Sequence, residues 1–97
     1  MLWCDFHQLC HPPRSQFDYL EIVAQFDVIM LSHLPPILPD QHDIARLFIK
    51  LIDVIYDNQK RLIIASQVPI EAIYVNGLLS QEFQRTKSRL IELATAK

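Results

Sequence analysis

Glycine is almost missing from this chain: Gly77 is the single one among 97 residues. Loops that cradle phosphate need glycine, because only a residue without Cβ lets backbone N–H groups close in on the anion. A P-loop of the chain's own is therefore excluded. Cysteine is scarce too, with two residues, so no disulfide framework holds the fold and a reducing, cytoplasmic compartment is expected. Excess positive charge is missing. The formal net charge is −2, which leaves no electrostatic footprint for nucleic acid. Long apolar runs are missing as well: none approaches the roughly 20 residues of a membrane span. The N-terminus, MLWCDFHQLCH, has no basic stretch ahead of an apolar one, so a secretory signal is not expected.

What the chain has is enough apolar material to fold. Hydrophobic residues make up 51% and charged ones 21%, which excludes a disordered chain. Its length allows one small domain, residues 1–97. The stretch from Asp40 to Ser66 organises the rest. Ile44, Leu47, Phe48, Leu51, Ile52 and Ile55 recur at helical spacing. Asp43, Arg46, Lys50, Asp53 and Asp57 form a narrow polar stripe, with Ala45, Ile49, Val54 and Tyr56 between. A helix apolar over most of its circumference is a covered helix. Leu62-Ile63-Ile64-Ala65 follows, too short for a helix, and reads as a strand buried on both faces.

The remaining elements repeat that alternation. Leu2 to Phe6 reads as an edge strand, and His7 to Cys10 as a helical turn stopped by His11-Pro12-Pro13. Ser15 caps a helix with Asp18 in its first turn and an apolar face of Phe17, Leu20, Val23 and Ala24. Val28 to Ser32 is a second buried strand, and Asp40 is placed to cap the central helix. Pro69 opens a short helix, Ile70 to Val75, ending at Asn76-Gly77, and Ser80 caps a last one, Gln81 to about Ala96. Strand and helix alternate three times. The expected fold is α/β, a small three-stranded parallel sheet with flanking helices and right-handed crossovers. So few parallel strands imply part of a larger sheet, or an edge that pairs with another chain.

Several groupings carry possible chemistry. Ser66 ends a buried strand, where open α/β sheets place ligand contacts; the alternative is a cap on the following helix. Arg85 and Arg89 share a helical face, and Glu82 and Glu92 at three-residue offsets offer them an ordinary charge ladder. Cys4, His7, Cys10 and His11 are all zinc-ligand types, but structural zinc sites use two separated pairs, so no metal is expected. Asp53, Tyr56 and Asp57 cluster on the central helix, where Lys50 is the expected partner of Asp53. No spacing suggests a nucleophile–base pair.

Six segments in order resemble one family. Trp3-Cys4-Asp5-Phe6 with Leu9-Cys10 resembles a Trp-Phe-x-Phe-x-x-Leu-Cys segment. Asp18-Tyr19 lies in a similar Asp-Tyr helix, and Leu31-Ser32 before Leu34-Pro35 resembles a Leu-Ser-x-x-Pro turn. Arg46 to Ile49, Leu51-Ile52-Asp53 and Tyr56-Asp57 resemble Arg-Arg-Phe-Ile-x-Leu-(Ile/Val)-Asp-x-x-Tyr-Asp. Leu62 to Ser66 with Pro69 and Ile73-Tyr74 resembles a Leu-Ile-x-Ser-Ala-x-x-Pro-x-x-x-Leu-Tyr run. Phe83-Gln84-Arg85-Thr86 with Ser88 to Glu92 is similar to Phe-Glu-Arg-Thr-x-Ser-Arg-Leu-x-Glu-Met. On these residues the chain is similar to the C-terminal part of the ZapE-type ATPases, AAA+-like P-loop proteins associated with cell division.

The resemblance implies a P-loop NTPase fold and ATP hydrolysis with Mg²⁺ in the complete protein. It makes Arg85 and Arg89 candidates for a sensor- or finger-type role on phosphate, Arg89 the more structural and Arg85 facing nucleotide. At its strand end, the Ser66 hydroxyl could orient water near a γ-phosphate. The family's Walker A and Walker B segments lie N-terminal to everything matched, so the expectation is a C-terminal fragment of the ATPase fold, inactive alone. His33 stands where an acid is usual, Cys4 replaces an aromatic, and the tail lacks a Met-Gln-Ser ending. Expected partners are the remainder of the ATPase or another protein chain, with division proteins beyond. The alternative is a stand-alone interaction module working through an open sheet edge.

Overall fold

The computed structural model describes residues 2–10, 15–66, 68–74 and 77–95, side chains of the last two aside. Three strands alternate with helices: β1 (Leu2–Asp5), α1 (Phe6–Leu9), α2 (Gln16–Gln25), β2 (Val28–Leu34), α3 (His42–Asp57), β3 (Arg61–Ser66) and α4 (Ser80–Thr95). A 3-10 turn, Ile70–Ala72, lies between β3 and α4. The sheet order is β1-β2-β3, and both pairs are parallel, as the alternation predicts.

The order has a topological consequence. Two right-handed crossovers moving the same way across a sheet leave their helices on the same face. Accordingly α3 packs between α2 and α4, and the three form one layer over the strands. Ala45, Leu47, Phe48, Ile49, Leu51, Ile52, Val54 and Ile55 of α3 are buried, so the covered helix read from its periodicity is a covered helix. Phe48 sits at the centre, its ring 5.8 Å from that of Phe6 and 6.1 Å from that of Phe83. Ile29, Leu31 and Leu34 of β2 and Leu62 of β3 supply the sheet side of the core.

The same topology overturns one expectation. β3 is not buried on both faces: Leu62 is buried, but Arg61, Ile63, Ala65 and Ser66 are exposed. An apolar run signals double burial only when helices cover both faces of the sheet, and here one face has none among the described residues.

Local chemistry settles the smaller differences. In α2 the buried residues are Tyr19 and Val23, while Phe17 and Leu20 point outward. Tyr19 turns inward because its hydroxyl donates to the Leu9 carbonyl at 2.8 Å, a partner that lets a phenol enter a core. The Asp18 carboxylate accepts from the Ser15 N–H at 2.8 Å, the return bond of a capping box. Gln41, not Asp40, precedes α3, its side chain accepting from the Leu38 N–H at 2.8 Å. β2 runs past Ser32 to Leu34 through an irregularity at which His33 has φ 58°. The helix expected from Ile70 to Val75 is only the 3-10 turn; Val75, Asn76, the His11-Pro12-Pro13 stop and the Ala94 side chain lie outside the described residues.

Candidate functional site

The two arginines of α4 converge on one carboxylate of α3. Arg85 Nη2 lies 3.4 Å from Asp53 Oδ2. Arg89 Nη1 donates to Asp53 Oδ1. The spacing explains the convergence: Arg85 and Arg89 are one turn apart on the face of α4 that meets α3. Arg89 is additionally stacked, its guanidinium carbon 4.7 Å from the centroid of the Tyr56 ring. The Tyr56 hydroxyl in turn donates to Glu92 Oε2 at 2.7 Å, and that bond holds the phenol above its usual range of ionisation.

This interhelical clasp overrides one pairing expected from the chain. Asp53 takes Arg85 and Arg89 rather than Lys50, and Glu92 accepts from Tyr56. The signal lay in the sequence: Asp53 and Tyr56 on one helix, and Arg85, Arg89 and Glu92 on the other, are complementary sets whose members stand three or four residues apart. Their adjacency is a tertiary fact that no single-helix rule supplies.

Within the clasp the arginines differ. The Arg89 side chain is 22% exposed and doubly engaged, whereas Arg85 is 63% exposed and holds Asp53 only at the long end of an ion pair. Arg85 therefore keeps most of its guanidinium donors available to an external anion. A cavity of about 400 Å³ opens beside the clasp, lined by Tyr56, Gln59, Lys60, Arg61, Glu92 and Leu93. Lys60 there is paired to Asp27 at 2.9 Å, which holds that carboxyl below its ordinary value.

Ser66 stands elsewhere. Its hydroxyl donates to the Val68 carbonyl at 2.6 Å and accepts from the Val68 N–H at 3.2 Å, a local turn rather than a helix cap. It occupies the C-terminal end of β3, while Asp53 lies one turn before the end of α3, next to where β3 begins. The length of β3 separates the two ends, roughly 16 Å. The structure thus brings Arg85 and Arg89 together and keeps Ser66 apart from them.

At the strand ends near Ser66, Asp5 and His33 pair at 2.9 Å between Oδ2 and Nδ1. The His7 N–H also donates to the Asp5 carboxylate at 2.9 Å, and this bond chiefly lowers its pKa. Cys10 is buried in the core and desolvation pushes its thiol up to about 12. Among the described residues no three His, Cys, Asp or Glu side chains come together as a metal site. His11 lies outside those residues. Gly77, at φ 152°, does not frame a phosphate loop: a Cβ there would lie 1.9 Å from the Tyr74 hydroxyl. Among the described residues none group into a phosphate cradle or a cation site of the kind Mg²⁺ and ATP need. No described helix is long and apolar enough to cross a membrane.

Comparison with known proteins gives consistent matches. The profile of the AFG1-like ATPase family matches residues 1–97. The cell division protein ZapE of Escherichia coli is 38% identical over 88 residues, 91% of this chain and 24% of that protein. An uncharacterized protein of Schizosaccharomyces pombe is 38% identical over 72 residues, 74% of this chain and 16% of that protein. Lactation elevated protein 1 homolog B of Danio rerio is 33% identical over 90 residues, 93% of this chain and 18% of that protein. The chain thus spans a quarter or less of the length of these relatives. No solved structure matches it.

Proposed function

Because the chain belongs to the AFG1-like ATPase family, we propose that it is the arginine-bearing, C-terminal portion of a protein that binds and hydrolyses ATP. The phosphate cradle and the Mg²⁺ site belong to the rest of that protein. This portion supplies positive charge. The observation that carries the reading is the asymmetry of the clasp: Asp53 fixes Arg89 against Tyr56 and steadies the mostly exposed Arg85 beside it. A guanidinium held in place but left with free donors suits a finger-type role on a nucleotide bound by another part of the ATPase. Arg89 is the positioning residue. Ser66, at the far end of the sheet, is the candidate contact at the strand ends, where α/β folds place ligands.

A cell-division role follows the printed name of the ZapE relative, and division proteins are the partners it suggests. Cys4 and Cys10 are not joined in a disulfide, which supports a reducing, cytoplasmic setting. The isolated chain is expected not to hydrolyse ATP, since its one glycine sits where a Cβ would strike Tyr74. The test is ATP turnover by E. coli ZapE in which this chain replaces its 88 matched residues, beside the isolated chain. Turnover by the chimera, lost with Arg85→Ala, supports the reading. Turnover by the chain alone contradicts it.

A further inference from the structure

The sheet has a bare side. Parallel register places Trp3, Met30 and Ile63 in one row across all three strands. In the neighbouring rows, Leu2–Ile29–Leu62 and Cys4–Leu31–Ile64, the residues Ile29, Leu31 and Leu62 belong to the buried core and Cys4 and Ile64 pack against it. In the bare row Trp3 is 66% exposed and Ile63 42%, with Met30 half-buried. Ala65 extends the exposed surface along β3. The helices α2, α3 and α4 pack side by side, and same-direction right-handed crossovers put that layer on the opposite side of the sheet.

We infer that the Trp3–Met30–Ile63 row is a docking surface for an apolar-faced helix from the remainder of the ATPase. All-parallel sheets persist with both faces covered, since an apolar row in water forfeits its burial. The occupant follows from handedness and from length. Within the described chain both crossovers step from β1 toward β3, which uses up one face. A strand that joins this sheet by a right-handed crossover stepping the other way brings its helix to the bare face. The relatives have such material: the stretch matching this chain is 24% of ZapE and 16% of the S. pombe protein. The inference rests on the ATPase reading for its partner and names the face that reading leaves unassigned.

Trp3 is the chain's only tryptophan, so a fluorinated tryptophan gives one fluorine resonance from the full 97-residue chain. The probe is unlabelled E. coli ZapE shortened by its 88 matched residues. Titration is expected to shift the resonance and remove its sensitivity to D₂O. Ile63→Asp abolishes the shift, and Leu78→Asp, at an exposed residue just ahead of α4, does not. The ZapE chimera described above gives the second format, with Trp3 protected from D₂O throughout. A resonance that stays solvent-sensitive in both formats, or a shared stretch that neither binds nor yields a folded chimera, overturns the inference. So does a shift on concentrating the chain alone, which assigns the face to a second copy. A chimera with Trp3 protected but no ATP turnover sinks the ATPase reading and leaves the docking surface; turnover with Trp3 exposed does the reverse.

Discussion

Arg89 and Asp53 tie α4 to α3 at a carboxylate that Arg85 also reaches. Removing the carboxylate leaves two neighbouring cations without their partner. Asp53→Ala is expected to lower stability by about 1–2 kcal/mol, the range for a partly buried charge-assisted contact discounted for solvent. Arg85→Ala, at an exposed end of the clasp, is expected to cost within about 0.5 kcal/mol. Urea denaturation of the two variants checks the ordering.

Phe48 is fully buried between Phe6 and Phe83. Phe48→Ala removes the ring from the middle of the helix layer and is expected to cost about 3–5 kcal/mol. Domains of this size hold on the order of 5–15 kcal/mol. The variant should therefore lose cooperative thermal unfolding or show a strongly lowered midpoint by circular dichroism.

Gly77 is the chain's one glycine and has a φ of 152°. A Cβ there would lie 1.9 Å from the Tyr74 hydroxyl, the group that accepts from the Leu79 N–H at 3.1 Å ahead of α4. Gly77→Ala is expected to destabilise by about 1–3 kcal/mol through backbone strain and the displaced tyrosine. Adding Tyr74→Phe should recover part of the loss, which a double-mutant cycle reads.

Burial raises the Cys10 thiol from an ordinary 9.0 to about 12. Folded protein at pH 8 is expected to leave Cys10 unreacted with a thiol reagent, and denatured protein to release it. The sign for stability follows. Above about pH 9.0 the unfolded thiol ionises while the folded one stays protonated, so the unfolded state holds fewer protons and stability falls as pH rises toward 12. Cys10→Ala should remove that part of the alkaline slope.

The elements were legible where one physical pattern dominates. The stripe from Ile44 to Ile55 repeats for about three turns, and only a covered helix accommodates it. Parallel pairing followed from alternation and handedness, which need no knowledge of partners. β3 was misread because Leu62 to Ala65 carries the composition of a doubly covered strand, while the helices that would cover its second face are not among the described elements. Phe17 and Leu20 were misassigned for a related reason: α2 is apolar on several sides, and the choice fell to the Tyr19 hydroxyl finding the Leu9 carbonyl. Both arginines were picked out as site candidates, but their meeting at Asp53 depends on how α3 and α4 lie side by side.

In the proposed role, Arg85 delivers its charge to a phosphate held elsewhere in the ATPase. The direct measurement of that role is kcat for ATP in the complete ATPase carrying this stretch, with Arg85→Ala against the parent at matched thermal stability. A fall of about a hundredfold or more is predicted, the scale for removing a preorganised cation from phosphoryl transfer. An unchanged kcat with intact nucleotide affinity would contradict the account.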